Sequence, residues 1–196
     1  MRVLILVAVC LSLAACASGA QPAQMISAAA EGQAIGDASP LKNSMTVGPV
    51  TGGSKTSPLW KSEVSNEDFA EALRQTLIAR TMLASANARF VLNAELLELD
   101  QPFAGFDMKV TSTVKYRLTN ADGSKAVFET TVKAPYTANF SSAFLGVKRL
   151  QLANEGAMRE NIGKFIEQLI AASNTDPAFK LDAKTISQLY GLVPES

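Results

Sequence analysis

The chain has 196 residues, is 47% hydrophobic, and balances 18 Lys plus Arg against 18 Asp plus Glu. That is enough for one domain with an arm. A neutral chain lacks the cationic excess that nucleic-acid binders use to neutralise phosphates. Histidine is absent, which excludes Ser-His-Asp triads, Cys-His dyads, HExxH zinc sites and histidine pH switches together. The only two cysteines are Cys10 and Cys16, so nothing beyond residue 16 can form a disulfide or a cysteine-rich metal site.

Residues 1–15 read as an export signal. Arg2 is a one-charge amino-terminal region. Val3 to Leu13 is an apolar run too short to cross about 30 Å of hydrocarbon. Leu13-Ala14-Ala15-Cys16 follows, with Ala17-Ser18-Gly19 behind it. This resembles the lipobox of bacterial lipoproteins. The resemblance implies a thioether lipid on Cys16, cleavage before it and acylation of the new amino group, with palmitate among the acyl chains. At about 0.8 kcal/mol per buried methylene, several chains make a stable anchor without a spanning helix. Ala17 is not Asp, and by resemblance to the sorting rule of Gram-negative bacteria that favours the periplasmic face of the outer membrane, with the inner membrane as the alternative. An ordinary secretory signal with a fortuitous cysteine is the plainer reading.

Residues 16–44 then read as the lipidated cysteine and a flexible tether, rich in Ala, Gly, Gln and Ser without strong periodicity. A domain is expected over 45–173. Its first strand is Met45 to Val50, closed by Gly52-Gly53. Those glycines lack the spacing of a phosphate-binding loop. Trp60 is either a hydrophobic plug over the core or an exposed aromatic anchor for a partner. Ser65 caps a helix from about Asn66 to Ala84, with Asp68 completing a capping box and Glu67, Asp68 and Glu71 suiting the helix dipole. Phe69, Leu73, Leu77, the Arg80 stem and Ala84 form its apolar face.

Phe90 to Leu99 and Met108 to Leu118 alternate as strands with one buried face and one wet face. Asn120-Ala121-Asp122-Gly123 turns the chain. A fourth strand buries Ala126, Phe128, Thr130, Val132 and Ala134. Ser141 or Ser142 opens a second helix, apolar at helical spacing from about Leu150 to Ala172 and stopped at Asn174 to Pro177. Residues 174–196 form a tail with a short helix over about Asp182 to Tyr190.

The order β-α-β-β-β-α predicts an α+β, two-layer sandwich: a four-stranded mixed or antiparallel sheet with two amphipathic helices on one face. With the lipobox in front, it resembles envelope lipoproteins that activate penicillin-binding proteins, partner the lipopolysaccharide-inserting barrel or assist lipid-transport ABC systems, and the amino-terminal domain of TolB. Ser142 to Arg149, Ala153-Asn154-Glu155-Gly156-Ala157 and Asn161-Ile162 also resemble uncharacterised proteobacterial lipoproteins. These likenesses carry over no functional residue.

Two surfaces are candidates for partner binding. The wet sheet face sets Lys109, Lys115, Arg117, Lys125 and Lys133 against Glu95 and Glu129. It suits an anionic partner such as lipid head groups or an acidic protein patch, or is simply a solvated face. The loops holding Phe103, Phe106, Tyr136, Phe140 and Phe144 are expected at one end of the sheet, as a patch for protein or lipid or as a cap on the core. Lys148, Arg149, Asn154 and Glu155 read as a solvated helix start. No catalytic group, metal site or cofactor is indicated. Glu95, Glu98 and Asp100 are the least unsuitable carboxylates for a hydrolase, and alternation sets Glu95 and Glu98 on opposite faces. Three roles follow in order: a noncatalytic adaptor or accessory subunit of an envelope machine, a lipid or lipopolysaccharide carrier, and an envelope hydrolase.

Overall fold

A computed structural model describes residues 18–27, 35–55 and 62–179. Its strands are β1 (Met45–Thr51), β2 (Phe90–Asp100), β3 (Met108–Asn120) and β4 (Ala126–Ala138). A short helix, α1 (Pro22–Met25), precedes them. Helices α2 (Asn66–Ala79) and α3 (Gly146–Thr175) pack on the sheet. The sheet order is β1-β2-β3-β4, with β1 parallel to β2 and the other pairs antiparallel. This is the α+β architecture that the strand and helix periods predict.

Local chemistry accounts for the elements. The Ser65 hydroxyl accepts from the Asp68 amide at 3.0 Å and donates to the Asp68 carboxylate at 2.6 Å, which starts α2. Gly123 turns β3 into β4 at a φ of +72°. Gly52 takes φ +83°, and a Cβ there would collide with the Leu96 carbonyl, so only glycine ends β1 this close to β2. Between helices and sheet, Tyr116 stacks on Phe165 with centroids 4.0 Å apart, and Phe69 meets Tyr116 edge-on. Leu73, Leu77, Leu92, Ile162 and Leu169 close this layer.

Several boundaries differ from expectation. α2 ends at Ala79, because Leu83 bridges to Met45 and draws the chain back to β1. α3 starts at Gly146 with Leu145 as an N-cap that offers no side-chain bond, and residues 140–142 make a separate 3-10 turn. Ala126 is exposed, because the β3–β4 register shifts beside Thr119 and turns it outward. The domain also runs past residue 173: Phe179 is buried and packs edge-on against Phe90 at 5.8 Å. The helix expected over 182–190 lies outside the described residues.

The largest correction concerns the expected tether over 16–44. Residues 18–27 and 35–44 pack on the domain. Ala20, Met25 and Leu41 are buried. The Ala20 amide donates to the Glu63 carbonyl, the Ser27 amide to Thr76 Oγ1, and Arg80 Nε to the Ser27 carbonyl. A Cβ on Gly163 of α3 would press on Ser27 Oγ, so that glycine opens the room in which the arm lies. Composition reads as a tether here because the few large side chains that dock it, Met25 and Leu41, are spaced without a period among small residues.

Candidate functional site

The β2–β3 loop and the β4–α3 connection emerge at the same end of the sheet, since Met108 pairs with Ala138. Phe103 (107% exposed), Phe106 (78%) and Phe144 (91%) stand in solvent there, with Phe140 and Leu145 about half exposed. The Phe106 and Phe140 rings meet edge-on at 5.7 Å. The Phe140 amide donates to the Asp107 carboxylate at 2.8 Å, which ties the two loops together. These aromatics therefore do not cap the core. Tyr136, the fifth expected member, lies half-buried on α3 instead, where Gly156 leaves room for its ring. Trp60 and Cys16 lie outside the described residues.

Behind this end stands a buried polar framework that periodicity did not reveal. Arg149, Asn154 and Glu155 are buried, contrary to the expectation of a solvated helix start. Arg149 Nη1 donates to the carbonyls of Ala143 (2.7 Å) and Phe144 (2.9 Å), and its guanidinium lies 4.9 Å from the Phe140 ring centre. Asn154 Nδ2 donates to the Ser62 carbonyl at 2.9 Å, and its Oδ1 accepts from Gln101 Nε2 at 2.7 Å. Glu155 Oε1 accepts from the Gln21 amide at 2.9 Å and from Gln151 Nε2 at 2.8 Å. Gln151 also donates to the Gly19 carbonyl at 3.0 Å. Further along, Asn161 Nδ2 donates to the carbonyls of Ser112 and Val132, and its Oδ1 accepts from the Tyr116 hydroxyl at 2.9 Å. Burial holds the Tyr116 hydroxyl pKa well above its ordinary value. The signal was present in the sequence: four polar residues, Arg149, Gln151, Asn154 and Glu155, stand among Leu150, Ala153 and Ala157 on a helix.

The open face of the sheet differs from the expected basic one. A bulge between Leu96 and Glu98 shifts the β2 register, so that Glu98 pairs with Thr113 and Asp100 with Thr111. Leu97 absorbs the extra residue and stays half exposed. Glu95, Glu98 and Asp100 consequently share the wet face, whereas strict alternation had set Glu95 and Glu98 apart. Glu129 reaches Lys115 at 3.2 Å and Arg117 at 3.7 Å. The face carries both signs. A shallow depression of about 230 Å³ lies there, lined by Pro49, Thr51, Asn93, Glu95, Lys115 and Arg117 among others. It is open to solvent and lies on the outer face of the sheet, unlike the apolar cavity between helices and sheet that a lipid carrier requires. Tyr116, Phe165 and Phe69 fill the space where such a cavity would lie. Among the described residues, no group of three Asp or Glu side chains is placed to hold a metal ion. Nor is any described helix long and apolar enough to cross a membrane.

No family model matches the chain, and no curated protein matches it. Solved structures are similar to it, one of them closely enough to share the fold. A Xanthomonas campestris protein described by the DUF330 family model is similar at 12% identity and a TM-score of 0.53, over 72% of this chain and 92% of that one. A Caulobacter crescentus protein described as a lipoprotein is similar at 15% identity and a TM-score of 0.48, over 69% and 94%. An Acinetobacter baumannii minor lipoprotein is similar at 12% identity and a TM-score of 0.40, over 63% and 92%. At these identities, the first likeness establishes the fold alone, and the other two are weaker still.

Proposed function

We propose that the chain is a noncatalytic lipoprotein of the cell envelope, held by acyl groups on Cys16 and serving as an adaptor or accessory subunit of an envelope machine. The observation that carries this reading is the Leu13-Ala14-Ala15-Cys16 sequence behind a short apolar run. The fold supports it: a small α+β domain whose described core is packed by Phe69, Tyr116 and Phe165 and which presents two exposed surfaces suits contact with a partner. Ala17 favours the periplasmic face of the outer membrane. The test is radiolabelled palmitate, which is expected to enter the wild type and to be absent from Cys16→Ala. Label in both variants, or in neither, overturns the anchor. In-cell crosslinking of the lipidated protein is expected to capture one dominant envelope protein. Co-purifying lipid or lipopolysaccharide in its place transfers the reading to a carrier.

A further inference from the structure

We infer that the aromatic end of the domain, with Phe103, Phe106, Phe140, Phe144 and Leu145, sinks into the same leaflet that holds the Cys16 acyl chains. The domain then lies on the bilayer in one fixed orientation. The inference rests on the lipoprotein reading, and it assigns to the membrane a surface that otherwise suits a protein partner.

Chain length is the first argument. Ser18 is the second residue after Cys16, which gives a reach of at most about 7 Å. Ser18 is not free to extend that reach: its carbonyl accepts from Ser62 Oγ at 2.8 Å. Gly19 is held by Gln151 and the Gln21 amide by Glu155. An anchor on Cys16 therefore pulls the domain itself onto the membrane surface.

Position is the second argument. The Ser62 carbonyl accepts from Gln101 Nε2 at 3.0 Å, and Gln101 stands two residues before Phe103. Gln151, which holds Gly19, lies about 7.5 Å along α3 from Gly146, where the second aromatic loop ends. The same stretch of α3 thus grips the start of the arm and, through Arg149, the carbonyls of Ala143 and Phe144. The arm and both loops hang from one end of the fold. The chemistry agrees with the place: exposed aromatics on two loops, joined through the Phe106–Phe140 contact, mark an interaction surface, and aromatic side chains suit the bilayer interface. Lys148 is exposed on the first turn of α3, where its charge complements anionic head groups.

Single-tryptophan fluorescence in vesicles tests the inference. The lipidated chain is purified from membranes and reconstituted into phosphatidylethanolamine–phosphatidylglycerol vesicles carrying brominated acyl chains. In a Trp60→Phe background, which removes the single native tryptophan, Phe103→Trp and Phe144→Trp are compared with Thr131→Trp, exposed in β4. The expected result is blue-shifted emission at 103 and 144, with quenching several-fold stronger than at 131. Equal quenching at all three positions overturns the inference. So does a crosslink from position 103 to an envelope protein without quenching in vesicles. Intact mass read on the same sample keeps the two failures apart. A chain without acyl mass overturns the anchor and the inference together, whereas an acylated chain with unquenched loops overturns the inference alone.

Discussion

The two halves of α3 solve different problems. The carboxy-terminal half, with Ile162, Phe165, Ile166 and Leu169, lays large apolar side chains on the sheet. The amino-terminal half buries Arg149, Gln151, Asn154 and Glu155 beside the small residues Ala153, Gly156 and Ala157. What each half covers explains the contrast. Strands pair most of their backbone groups with one another, so one amide, Asn161, serving the Ser112 and Val132 carbonyls is enough, and apolar side chains cover the rest. The segments around Ser18 to Gln21, Ser62 and Ala143 to Phe144 have no ladder of their own. Their carbonyls and amides need partners, because each buried group left unpaired costs about 1–3 kcal/mol. Side-chain amides, a guanidinium and a carboxylate supply them, often two bonds from one residue.

The contrast can be broken from either side. Phe165→Ala removes the ring stacked on Tyr116 and costs about 3–5 kcal/mol; the urea midpoint falls for the domain as a whole. Asn154→Ala removes one bond each from the Ser62 carbonyl and the Gln101 amide, which keep each other, and costs about 1–2 kcal/mol. Its signature is local: hydrogen exchange quickens around residues 18–20 and 62–64 more than in the β2–β3 ladder. A uniform quickening would show that the two halves act as one unit. Gly156→Ala drives a methyl into the Tyr136 ring and costs about 1–3 kcal/mol. Combined with Tyr136→Ala, the loss is smaller than the sum of the single losses, which a double-mutant cycle measures.

The smallest effect sharpens the comparison through pH. The Tyr116 hydroxyl is held by burial well above its ordinary value of 10.0. The folded chain keeps a proton there that the unfolded chain releases. Tyr116 therefore stabilises the fold fully below pH 10.0, and that contribution declines as pH rises from there toward the folded value. Tyr116→Phe loses the bond to Asn161 and about 1 kcal/mol at neutral pH. Its stability then falls less steeply above pH 10.0 than that of the wild type in chemical denaturation.

Much of the sheet was legible because β3 alternates without interruption and Ser65 with Asp68 marks the start of α2. The bulge in β2 was not, since Leu96-Leu97-Glu98-Leu99 offers apolar side chains to either face and alternation cannot choose between them. The aromatic end was legible as a location, from two loops after strands of one meander, but not as exposed. Whether Phe103 folds back depends on packing that no local pattern encodes. The arm was hidden most completely. Its Ala, Gly and Ser carry no period, and the groups that hold it, Gln151 and Glu155, lie more than 130 residues away at 3.0 Å and 2.9 Å. Asn154 and Glu155 misled for the opposite reason, because charged and amide side chains on a helix usually face water.

The docking of Ser18 and Gly19 also bears on the order of events during maturation. A signal peptidase takes an extended backbone into its cleft, on both sides of the bond that it cuts. On the lipoprotein reading that bond lies immediately before Cys16, so the carbonyls of Ser18 and Gly19 cannot pair with Ser62 and Gln151 while the enzyme is engaged. On that reading the arm is open while the bond is cut and docks once the enzyme has left. Exchange at the Gln21 amide, which donates to Glu155 at 2.9 Å, reports whether the arm is docked at each stage.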